Sequence, residues 1–419
     1  MTMRVRAVLM LMVAVAMMGL ASCDHYVCTS GANFGSSTCT AGTVGLSGGG
    51  NEDAAFLFVS NGTGAAGAIA GYTLNTTNSA APTLQLTNGY TAPVTPGNDV
   101  GLGMALAQKQ FVYTAYSSTG QIFGWTISSS GILSAVSGSP YSVPSLHSLG
   151  SLYFDTQRVI TNPAGTLLFV ADAAHDQIFV YQIGSGGALS AVTGSPFSVA
   201  PYSPGNMTTD GLGNYLYFTQ VADNNHTGTE LGAYKIGTGS SLGQLTEIAA
   251  YDLGMWQVLG EPTGKFLIGT TGQSLAVNDA DNPNLYVFSI GSSGAITLTG
   301  TFATTNSPLN IAVQSNSGGS QVYSFGIADS GNAFNPIEAY ALSSSGTLTA
   351  ANGSPFDNGA VGDFGQFDQS GGFVFVYGGI GEDGTVVYQM TAFQVDSDGL
   401  ALPAITGTYG GYWVVTDPQ

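Results

Sequence analysis

The chain has 419 residues, of which only 7% are charged, and 25 acidic residues against 6 basic ones give a net charge of −19. A surface this acidic repels phosphate backbones, so the composition excludes nucleic acid as a partner and disfavours anionic substrates. The hydrophobic content of 44% excludes a disordered chain. Abundant glycine, strand-forming residues and the lack of long helical apolar spacing after the first twenty residues predict an all-β fold.

The first 22 residues predict an export signal of the lipoprotein type. Arg4 and Arg6 give a positive start, and residues 7–20 form an apolar run too short for a comfortable membrane span. The run ends in the sequence LASC, which resembles a bacterial lipobox, so we expect cleavage before Cys23 and acylation of that cysteine. An ordinary signal peptide with a chance cysteine is the alternative. Lipid attachment would anchor the exported protein to the membrane of the cell envelope, on the periplasmic side or at the cell surface.

Residues 23–51 are rich in Gly, Ser and Thr and predict a flexible tether. Cys28 and Cys39 lie in this tether and are the other two cysteines of the chain. In an exported protein two such cysteines most simply form one disulfide. A metal pair is the other interpretation, but further ligands at suitable spacing are lacking.

From residue 52 onward, one pattern of strands and turns recurs seven times, and its clearest copy spans Ile160 to Phe197. The predicted second strands of the repeats are 55–60, 111–115, 167–171, 215–219, 266–270, 322–326 and 373–377. The predicted third strands are 69–74, 122–127, 178–183, 231–236, 285–290, 337–342 and 391–395. The fragments AVSGSP, AVTGSP and AANGSP repeat the exit of the fourth strand almost verbatim. A period near fifty residues predicts the blades of one β-propeller and not seven separate domains.

The two ends of the repeat region complete each other. Residues 412–418 read as a first strand with its exit turn, whereas the N-terminal repeat begins at its second strand. The sequence therefore predicts a seven-bladed β-propeller of four-stranded antiparallel blades over residues 52–419. Its ring is closed by the C-terminal strand pairing with the N-terminal blade, which removes exposed sheet edges.

The segment LFVADAAHDQIFVYQI, residues 168–183, carries a family resemblance. It resembles the lactonase family of seven-bladed propellers, which includes the bacterial 6-phosphogluconolactonases and overlaps with YVTN-type surface repeats. Asp172 and Asp176 occupy the positions of two aspartates in that family. The resemblance extends over about residues 52–419 and implies the propeller fold and, if the chain is an enzyme, a lactonase that hydrolyses a carboxylic ester.

Several positions that the resemblance implies to be catalytic are changed in this sequence. Gln157 stands near the place of a histidine, and residues 203–207 contain neither the arginine nor the histidine found there in the family. A glutamate after the next second strand is replaced by Gln220 or Val221. A shared fold alone does not confer a reaction, so the sequence leaves open whether the chain is an enzyme.

Propeller topology places the loops between second and third strands on the same face as those between fourth and first strands. The histidines of the propeller region, together with many acidic residues, fall in these loops, which predicts one functional face. The candidate catalytic residues are His147, Arg158, Asp172, His175 and Asp176. A histidine paired with Asp172 would activate water, and Arg158 would stabilise the carbonyl oxygen of a lactone.

Acidic residues on the same face also allow a metal site. The candidate ligands are Asp223, His226, Asp279 and Asp281, and Ca²⁺ is the cofactor that such loops would suit. The plainer interpretation is that the loops are polar because they are solvated, and that the two aspartates of residues 172–176 cap turns. The leading prediction is a monomeric, envelope-anchored module that binds an unknown small molecule or protein through its acidic face. Hydrolysis of a neutral or weakly charged lactone is the alternative.

Overall fold

The structure is a computed structural model that describes most of the predicted propeller region. The described ranges are 54–60, 69–75, 83–89, 102–143, 146, 158–220, 230–271, 284–305, 307–316, 319–327, 337–355, 364–367, 373–382, 385–395, 401–407 and 413–416. The predicted signal and tether lie outside these ranges, as do Cys23, Cys28, Cys39, His147, Asp223, His226, Asp279 and Asp281. Lipid attachment, the disulfide and the metal ligands therefore stay predictions.

The described residues form thirty β-strands and one short 3-10 helix, Gly239–Ser241. In chain order the strands are β1 (Ala54–Ser60), β2 (Ile69–Asn75), β3 (Thr83–Leu86), β4 (Met104–Ala107), β5 (Phe111–Tyr116), β6 (Gln121–Ile127), β7 (Leu133–Ala135), β8 (Tyr141–Ser142), β9 (Val159–Thr161), β10 (Leu167–Asp172), β11 (Gln177–Ile183), β12 (Leu189–Ala191), β13 (Phe197–Ser198), β14 (Pro204–Thr209) and β15 (Tyr215–Gln220). They continue with β16 (Glu230–Ile236), β17 (Leu245–Asp252), β18 (Gln257–Gly260), β19 (Phe266–Thr270), β20 (Asn284–Ile290), β21 (Ile296–Ala303), β22 (Ser307–Asn316), β23 (Gly319–Ile327), β24 (Glu338–Leu342), β25 (Leu348–Ala350), β26 (Phe364–Phe367), β27 (Phe373–Glu382), β28 (Thr385–Val395), β29 (Ala401–Gly407) and β30 (Trp413–Thr416).

These strands pair into seven antiparallel sheets, which we number along the chain. Sheet I is β4–β8, sheet II is β9–β13, sheet III is β14–β17, sheet IV is β18–β21, sheet V is β22–β25, sheet VI is β26–β29, and sheet VII has the order β3-β2-β1-β30. In sheet VII the C-terminal strand pairs with β1, from Phe56 opposite Thr416 to Val59 opposite Trp413. The all-β class, the four-stranded antiparallel units and this pairing of the last strand are as the sequence predicts.

The predicted second and third strands of all seven repeats are present, but some of their ends differ. Asp172 was expected in a loop and is the last residue of β10. The hairpin of β27 and β28 extends to Glu382 and Thr385, well past the predicted ends. Sheets I and II also have a short fifth strand, β8 and β13, that pairs back onto the third strand. Two-residue strands of this kind carry too little pattern to be read from sequence.

The repeated Gly-Ser-Pro fragments have one structural role. Their serine hydroxyls accept hydrogen bonds from third-strand backbone N–H groups, from Gly124 to Ser139 at 3.0 Å and from Val180 to Ser195 at 2.8 Å. Ser354 accepts one from Ala339 at 3.0 Å. The glycine before each serine has a φ between 83° and 92°, a conformation that glycine adopts without steric cost. The near-verbatim repetition therefore reflects one turn used three times.

The apolar core lies between neighbouring sheets. Every residue of β10 is buried, because sheets cover both of its faces, and the strand is therefore continuously apolar from Leu167 to Ala171 instead of alternating. Leu168 and Val170 pack in the cluster shared with sheet I, whereas Leu167 and Phe169 pack in the cluster shared with sheet III. The first strands contact one another in the order β4, β9, β14, β18, β22, β26, β30 and β4 again.

Polar side chains link the first strands to each other. Asn206 donates from Nδ2 to the carbonyl of Trp256 at 2.9 Å, which joins sheet III to sheet IV. Gln257 Oε1 accepts the backbone N–H of Ile311 at 2.7 Å, which joins sheet IV to sheet V. Asn310 Oδ1 in turn accepts the N–H of Gly365 in sheet VI at 3.2 Å. These amides are almost fully buried, so their hydrogen bonds hold neighbouring strands in register as well as satisfying buried polar groups.

Candidate functional site

Asp172 and His175 form a carboxylate–imidazole pair at the loop between β10 and β11. Asp172 is fully buried, and its Oδ2 lies 2.9 Å from His175 Nδ1 and 2.9 Å from Gln177 Nε2. Since an ionised carboxylate only accepts, both nitrogens donate to it. Among the described residues, Asp172 Oδ1 has no hydrogen-bond partner although it is buried. The His175 side chain is 47% exposed. Its Nδ1 therefore contacts the buried carboxylate while part of the imidazole ring contacts solvent.

Arg158 lies at the same end of sheet II. It directly precedes β9, and its carbonyl accepts the N–H of Ala171, the residue before Asp172, at 2.9 Å. Its own N–H donates to Leu102 of sheet I at 3.2 Å. Four basic residues follow the signal; Lys109, Lys235 and Lys265 are exposed, whereas Arg158 is only 2% exposed. A buried guanidinium needs negative or polar partners, and the backbone bond to Ala171 brings Arg158 to the end of sheet II where Asp172 lies.

Asp176 holds the loop in an unusual backbone conformation. Its φ is +51°, a left-handed value that asparagine and aspartate tolerate better than other non-glycine residues. Its carbonyl accepts the N–H of Val199 at 2.7 Å, which fixes the loop against the segment after β13. Non-glycine residues held in this region are enriched at functional sites.

Ser203 fixes the loop from the neighbouring sheet. This buried serine directly precedes β14 and donates from Oγ to the carbonyl of Ala173 at 2.7 Å. Sequence reasoning missed both Ser203 and Gln177 as parts of the site. The position of Gln177 directly after the loop could have indicated that its side chain reaches Asp172. Ser203 opens residues 203–207, the segment in which the family resemblance implies an arginine and a histidine.

Four of the five candidate catalytic residues are thus described, and they lie at one end of sheet II. Asp172 and His175 are hydrogen-bonded directly, while Arg158 directly precedes the first strand β9 and Asp176 lies in the same loop as His175. His147 lies outside the described residues, so its place is untested. Within the described ranges, no three His, Cys, Asp or Glu side chains are grouped closely enough to hold a metal ion, and the proposed Ca²⁺ ligands all lie elsewhere.

The bonded pair has the geometry of a general base. The Nδ1–H bond to Asp172 fixes the neutral tautomer in which His175 Nε2 is the proton acceptor. A buried carboxylate also stabilises the imidazolium that forms when Nε2 takes a proton from water. The arrangement can therefore activate water for attack on a carbonyl carbon.

Comparison with known sequences gives one short match. No family model matches the chain. A 6-phosphogluconolactonase from Xenorhabdus nematophila is 31% identical over 117 residues. The matched region covers 28% of this chain and 31% of that enzyme, so this chain spans less than a third of the curated relative it matches.

Solved structures with the same fold cover nearly the whole chain. A candidate 6-phosphogluconolactonase from Bacteroides fragilis superposes with a TM-score of 0.62 at 15% identity, covering 88% of this chain and 99% of that one. The periplasmic gluconolactonase of Pseudomonas aeruginosa gives a TM-score of 0.59 at 13% identity, covering 87% and 100%. A protein from Lactobacillus plantarum gives 0.58 at 16% identity, covering 86% and 98%. At these identities the likeness establishes a shared lactonase-like fold.

In the described ranges no helix is long and apolar enough to span a membrane.

Proposed function

We propose that this protein is an exported lactone hydrolase in which His175, oriented by Asp172, activates the attacking water. The observation that carries the proposal is the 2.9 Å bond between a fully buried carboxylate and a half-exposed imidazole. The fold shared with a periplasmic gluconolactonase supports the choice of a lactone as substrate. The 6-phosphogluconolactonase match supports it further, although it covers less than a third of either chain.

The proposed architecture is a closed, seven-bladed propeller with one sheet per blade. Two observations support it: the first strands contact one another in cyclic order, and β30 completes the sheet that begins with β1. In such a ring the end of β10 and the start of β9 open onto one face. The loop after β10 would then present His175 at the mouth of the central channel, a common place for a binding site.

The proposed substrate is a neutral or weakly charged lactone. A net charge of −19 repels anions, and the three lysines that follow the signal are exposed residues outside the site. Arg158 is the proposed donor to the carbonyl oxygen. One buried guanidinium suits the negative charge that develops on that oxygen better than it suits a dianionic phosphate added to an acidic surface.

In the proposed reaction, water transfers a proton to His175 Nε2 as its oxygen attacks the lactone carbonyl carbon. The carbonyl oxygen becomes an oxyanion that Arg158 stabilises. Collapse of this intermediate breaks the bond from the carbonyl carbon to the ring oxygen. His175 then returns its proton to the departing alkoxide, which leaves an open-chain hydroxy acid and the neutral imidazole.

Lipid anchoring through Cys23 remains part of the proposal. The LASC sequence after an apolar run supports it, and the periplasmic location of one structural relative is compatible with export. Metabolic labelling with a radioactive or clickable fatty acid tests it. Label in the wild-type protein that disappears in Cys23→Ala supports the anchor, whereas equal labelling contradicts it.

Turnover of a panel of neutral and charged lactones by the purified protein tests the proposed activity. We expect His175→Gln and Asp172→Asn to lower kcat by at least about 100-fold with little change in KM, because they remove the base or its orientation. Thr119→Ala, at the corresponding loop position of sheet I, is the control and leaves the rate unchanged. Lactone binding without turnover in the wild type, or full activity in His175→Gln, would support a binding module instead.

A further inference from the structure

The turns at one end of sheets I–IV carry a distinct set of charges. They connect first to second strands and third to fourth strands, and we call them the turn face: residues 108–110, 128–132, 162–166, 184–188, 210–214, 237–244, 261–265 and 291–295. Their charged residues are Lys109, Asp210, Glu261 and Lys265. Both acids are 1% exposed and accept hydrogen bonds inside the protein, whereas both lysines are exposed. Every exposed charge on the turn face is therefore positive, in a chain of net charge −19.

Contacts between neighbouring sheets join these turns into one surface. Gln108 Nε2 of sheet I donates to the carbonyl of Gly165 in sheet II at 3.0 Å. Between sheets II and III the approach is close, because a Cβ added to Gly213 would lie 3.2 Å from the proline ring of the sheet II turn. The Tyr215 hydroxyl of sheet III donates to the carbonyl of Ser292 in sheet IV at 2.6 Å. The turn face is thus continuous over the four sheets.

Large apolar side chains are exposed at the same end. Within the described ranges they are Leu212, Leu242 and Leu298. The first two belong to the turn face, and Leu298 is the third residue of β21, close to the turn that precedes this strand. Leu212 is 66% exposed and lies over Gly264, since a Cβ added there would be 2.7 Å from Leu212 Cγ. It is therefore a neighbour of the turn that ends at Lys265.

A third lysine adjoins this leucine. Lys235 is exposed and lies opposite Tyr215 in the register of sheet III. The next residue, Ile236, donates its N–H to the carbonyl of Asn214 at 2.8 Å, in the turn that carries Leu212. All three lysines of the chain therefore lie at the end of the sheets where the large apolar side chains are exposed.

The loops at the other end of the same sheets have the opposite charge. Between second and third strands the sequence contains Asp176, Asp223, Asp279 and Asp281 and neither lysine nor arginine. Second strands of five or six residues separate the two ends by about 20 Å. Because charges are screened over about 8 Å at physiological ionic strength, the acidic loops contribute little to the potential at the turn face.

The predicted lipid anchor enters the fold at the turn face. β1 begins at Ala54, and its third residue, Phe56, lies against the sheet I turn, since a Cβ added to Gly131 would be 2.5 Å from Phe56 Cδ1. The segment between Cys23 and Ala54 would reach about 30 Å as a flexible chain. An acylated Cys23 would therefore keep the turn face within reach of a bilayer without fixing its orientation.

We propose that the turn face of sheets I–IV lies against the anionic phospholipid surface of the membrane that holds the protein. Its lysines contact lipid phosphates, and Leu212 inserts among the headgroups. In this orientation the loop after β10 faces away from the membrane, towards the solvent. The inference rests on the anchor proposed for Cys23 and not on the proposed hydrolysis.

Fluorescence quenching by brominated phospholipids tests the orientation. The full-length lipidated protein is reconstituted in phosphatidylcholine vesicles that contain about 30% phosphatidylglycerol. The emission added by Leu212→Trp should be quenched at least about threefold more than that added by Thr119→Trp, which lies in the loop at the other end of sheet I. Equal quenching at both positions, or stronger quenching at residue 119, would overturn the proposal.

Charge variants test the chemistry of the partner. In the Leu212→Trp background, the pair Lys235→Gln and Lys265→Gln should lower the quenching at least about twofold, as should pure phosphatidylcholine or about 0.5 M salt. The pair Ser118→Glu and Thr119→Glu is the matched control, because it changes the net charge by the same amount at the opposite end. It should leave the quenching unchanged. Quenching that is insensitive to the lysine variants and to lipid charge would overturn the assignment of an anionic lipid.

Chemical coupling separates this surface from the natural anchor. The three cysteines of the chain, Cys23, Cys28 and Cys39, all precede β1, so coupling to a maleimide lipid attaches non-acylated protein at the same end. The coupled protein should show the same difference between residues 212 and 119. If metabolic labelling finds no acylation but the coupled protein shows this difference, the anchor fails and the surface stands. If neither the acylated nor the coupled protein shows it, the surface proposal fails.

Discussion

Sheets I and II share one backbone plan but carry different chemistry on it. Their second strands have six residues each, their third strands seven, and each has a short fifth strand after a Gly-Ser-Pro turn. The loops between second and third strands both have four residues. In each, the last loop residue accepts an N–H from the chain after that turn, Val143 to Gly120 at 2.6 Å and Val199 to Asp176 at 2.7 Å.

The side chains of the two loops differ sharply. The loop of sheet I and its flanks read Tyr-Ser-Ser-Thr-Gly-Gln over residues 116–121, whereas sheet II reads Asp-Ala-Ala-His-Asp-Gln over 172–177. At the start of the first strand, sheet I has Gly103 where sheet II has Arg158. A repeat can thus keep its strands and turns while one copy gains a carboxylate–imidazole hydrogen bond and a buried guanidinium. The proposed site depends on substitutions within a fixed loop and not on a new fold element.

Exchanging the loops should give the largest effect. Replacing residues 172–176 by the Tyr-Ser-Ser-Thr-Gly of residues 116–120 keeps loop length and backbone, so we expect the fold to be retained. Lactone turnover should fall at least about 100-fold, since the base and its carboxylate are removed together. Circular dichroism and steady-state kinetics measure the two properties. Retained turnover in the exchanged protein would place the base elsewhere.

The reverse exchange, which places the loop sequence of sheet II into sheet I, tests whether the loop alone is sufficient for activity. Placing Asp-Ala-Ala-His-Asp at residues 116–120 should create a second carboxylate–imidazole pair but no second active site. Sheet I has Gly103, and no guanidinium, at the position of Arg158. An increase in turnover would show that Arg158 is dispensable.

A second difference between the two sheets is a hydrogen bond to the next sheet. Tyr113 donates its hydroxyl to the carbonyl of Gly187 in sheet II at 2.6 Å, whereas the corresponding residue of sheet II is Phe169. We expect Tyr113→Phe to lower the free energy of unfolding by about 1–2 kcal/mol, because it leaves a buried carbonyl without its donor. Tyr217→Phe, which loses the same bond to Gly294 in sheet IV, should cost a similar amount. Urea denaturation measures both, and a loss below about 0.5 kcal/mol in both variants would contradict the bond's importance.

The buried phenol of Tyr113 also predicts how the stability of the protein changes at high pH. Burial, and then the nearby Tyr141, raise the pKa of Tyr113 above the ordinary value of about 10. A raised folded-state pKa gives stability that is fully present below the unfolded pKa and is lost as pH rises through the folded one. As the pH rises above about 10, the free energy of unfolding of the wild type should therefore fall more than that of Tyr113→Phe. Equal alkaline losses in both proteins would argue against this role.

The smallest expected effect concerns the backbone of the two loops. Gly120 has a φ of +59° and Asp176 a φ of +51° at corresponding positions. Gly120→Asp should lower the free energy of unfolding by about 1 kcal/mol, since a side chain is added at a left-handed position. Asp176→Gly should change it by less than about 1 kcal/mol, and any loss of turnover would then report on the carboxylate itself. Destabilisation by Asp176→Gly well above that value would assign the side chain a structural role.

The strands and the bonded pair of the candidate site were predictable because their signals are local. Apolar runs between glycine and proline turns mark β5 and β10, and Asp172 and His175 are only three residues apart. The interface contacts were not predictable. Whether Gln257 meets Ile311, or Glu338 lies opposite Ser324, depends on the register between strands and on how two sheets face each other. Likewise, the burial of Arg158 depends on tertiary packing, in which its N–H bonds to Leu102, 56 residues earlier, and it leaves no trace in its neighbours in sequence.

The pairing of β30 with β1 has a consequence for the order of folding. Sheets I to VI are each built from consecutive segments, so each can form as soon as its own residues are available. Sheet VII joins strands separated by about 350 residues, and closing so long a loop costs entropy that only the final pairing repays. We therefore expect β1 to wait with one unpaired edge until the C-terminal strand arrives. A chaperone that protects unfolded chains would act mainly on that edge, and the pairing of β30 would determine when the protein becomes resistant to proteases.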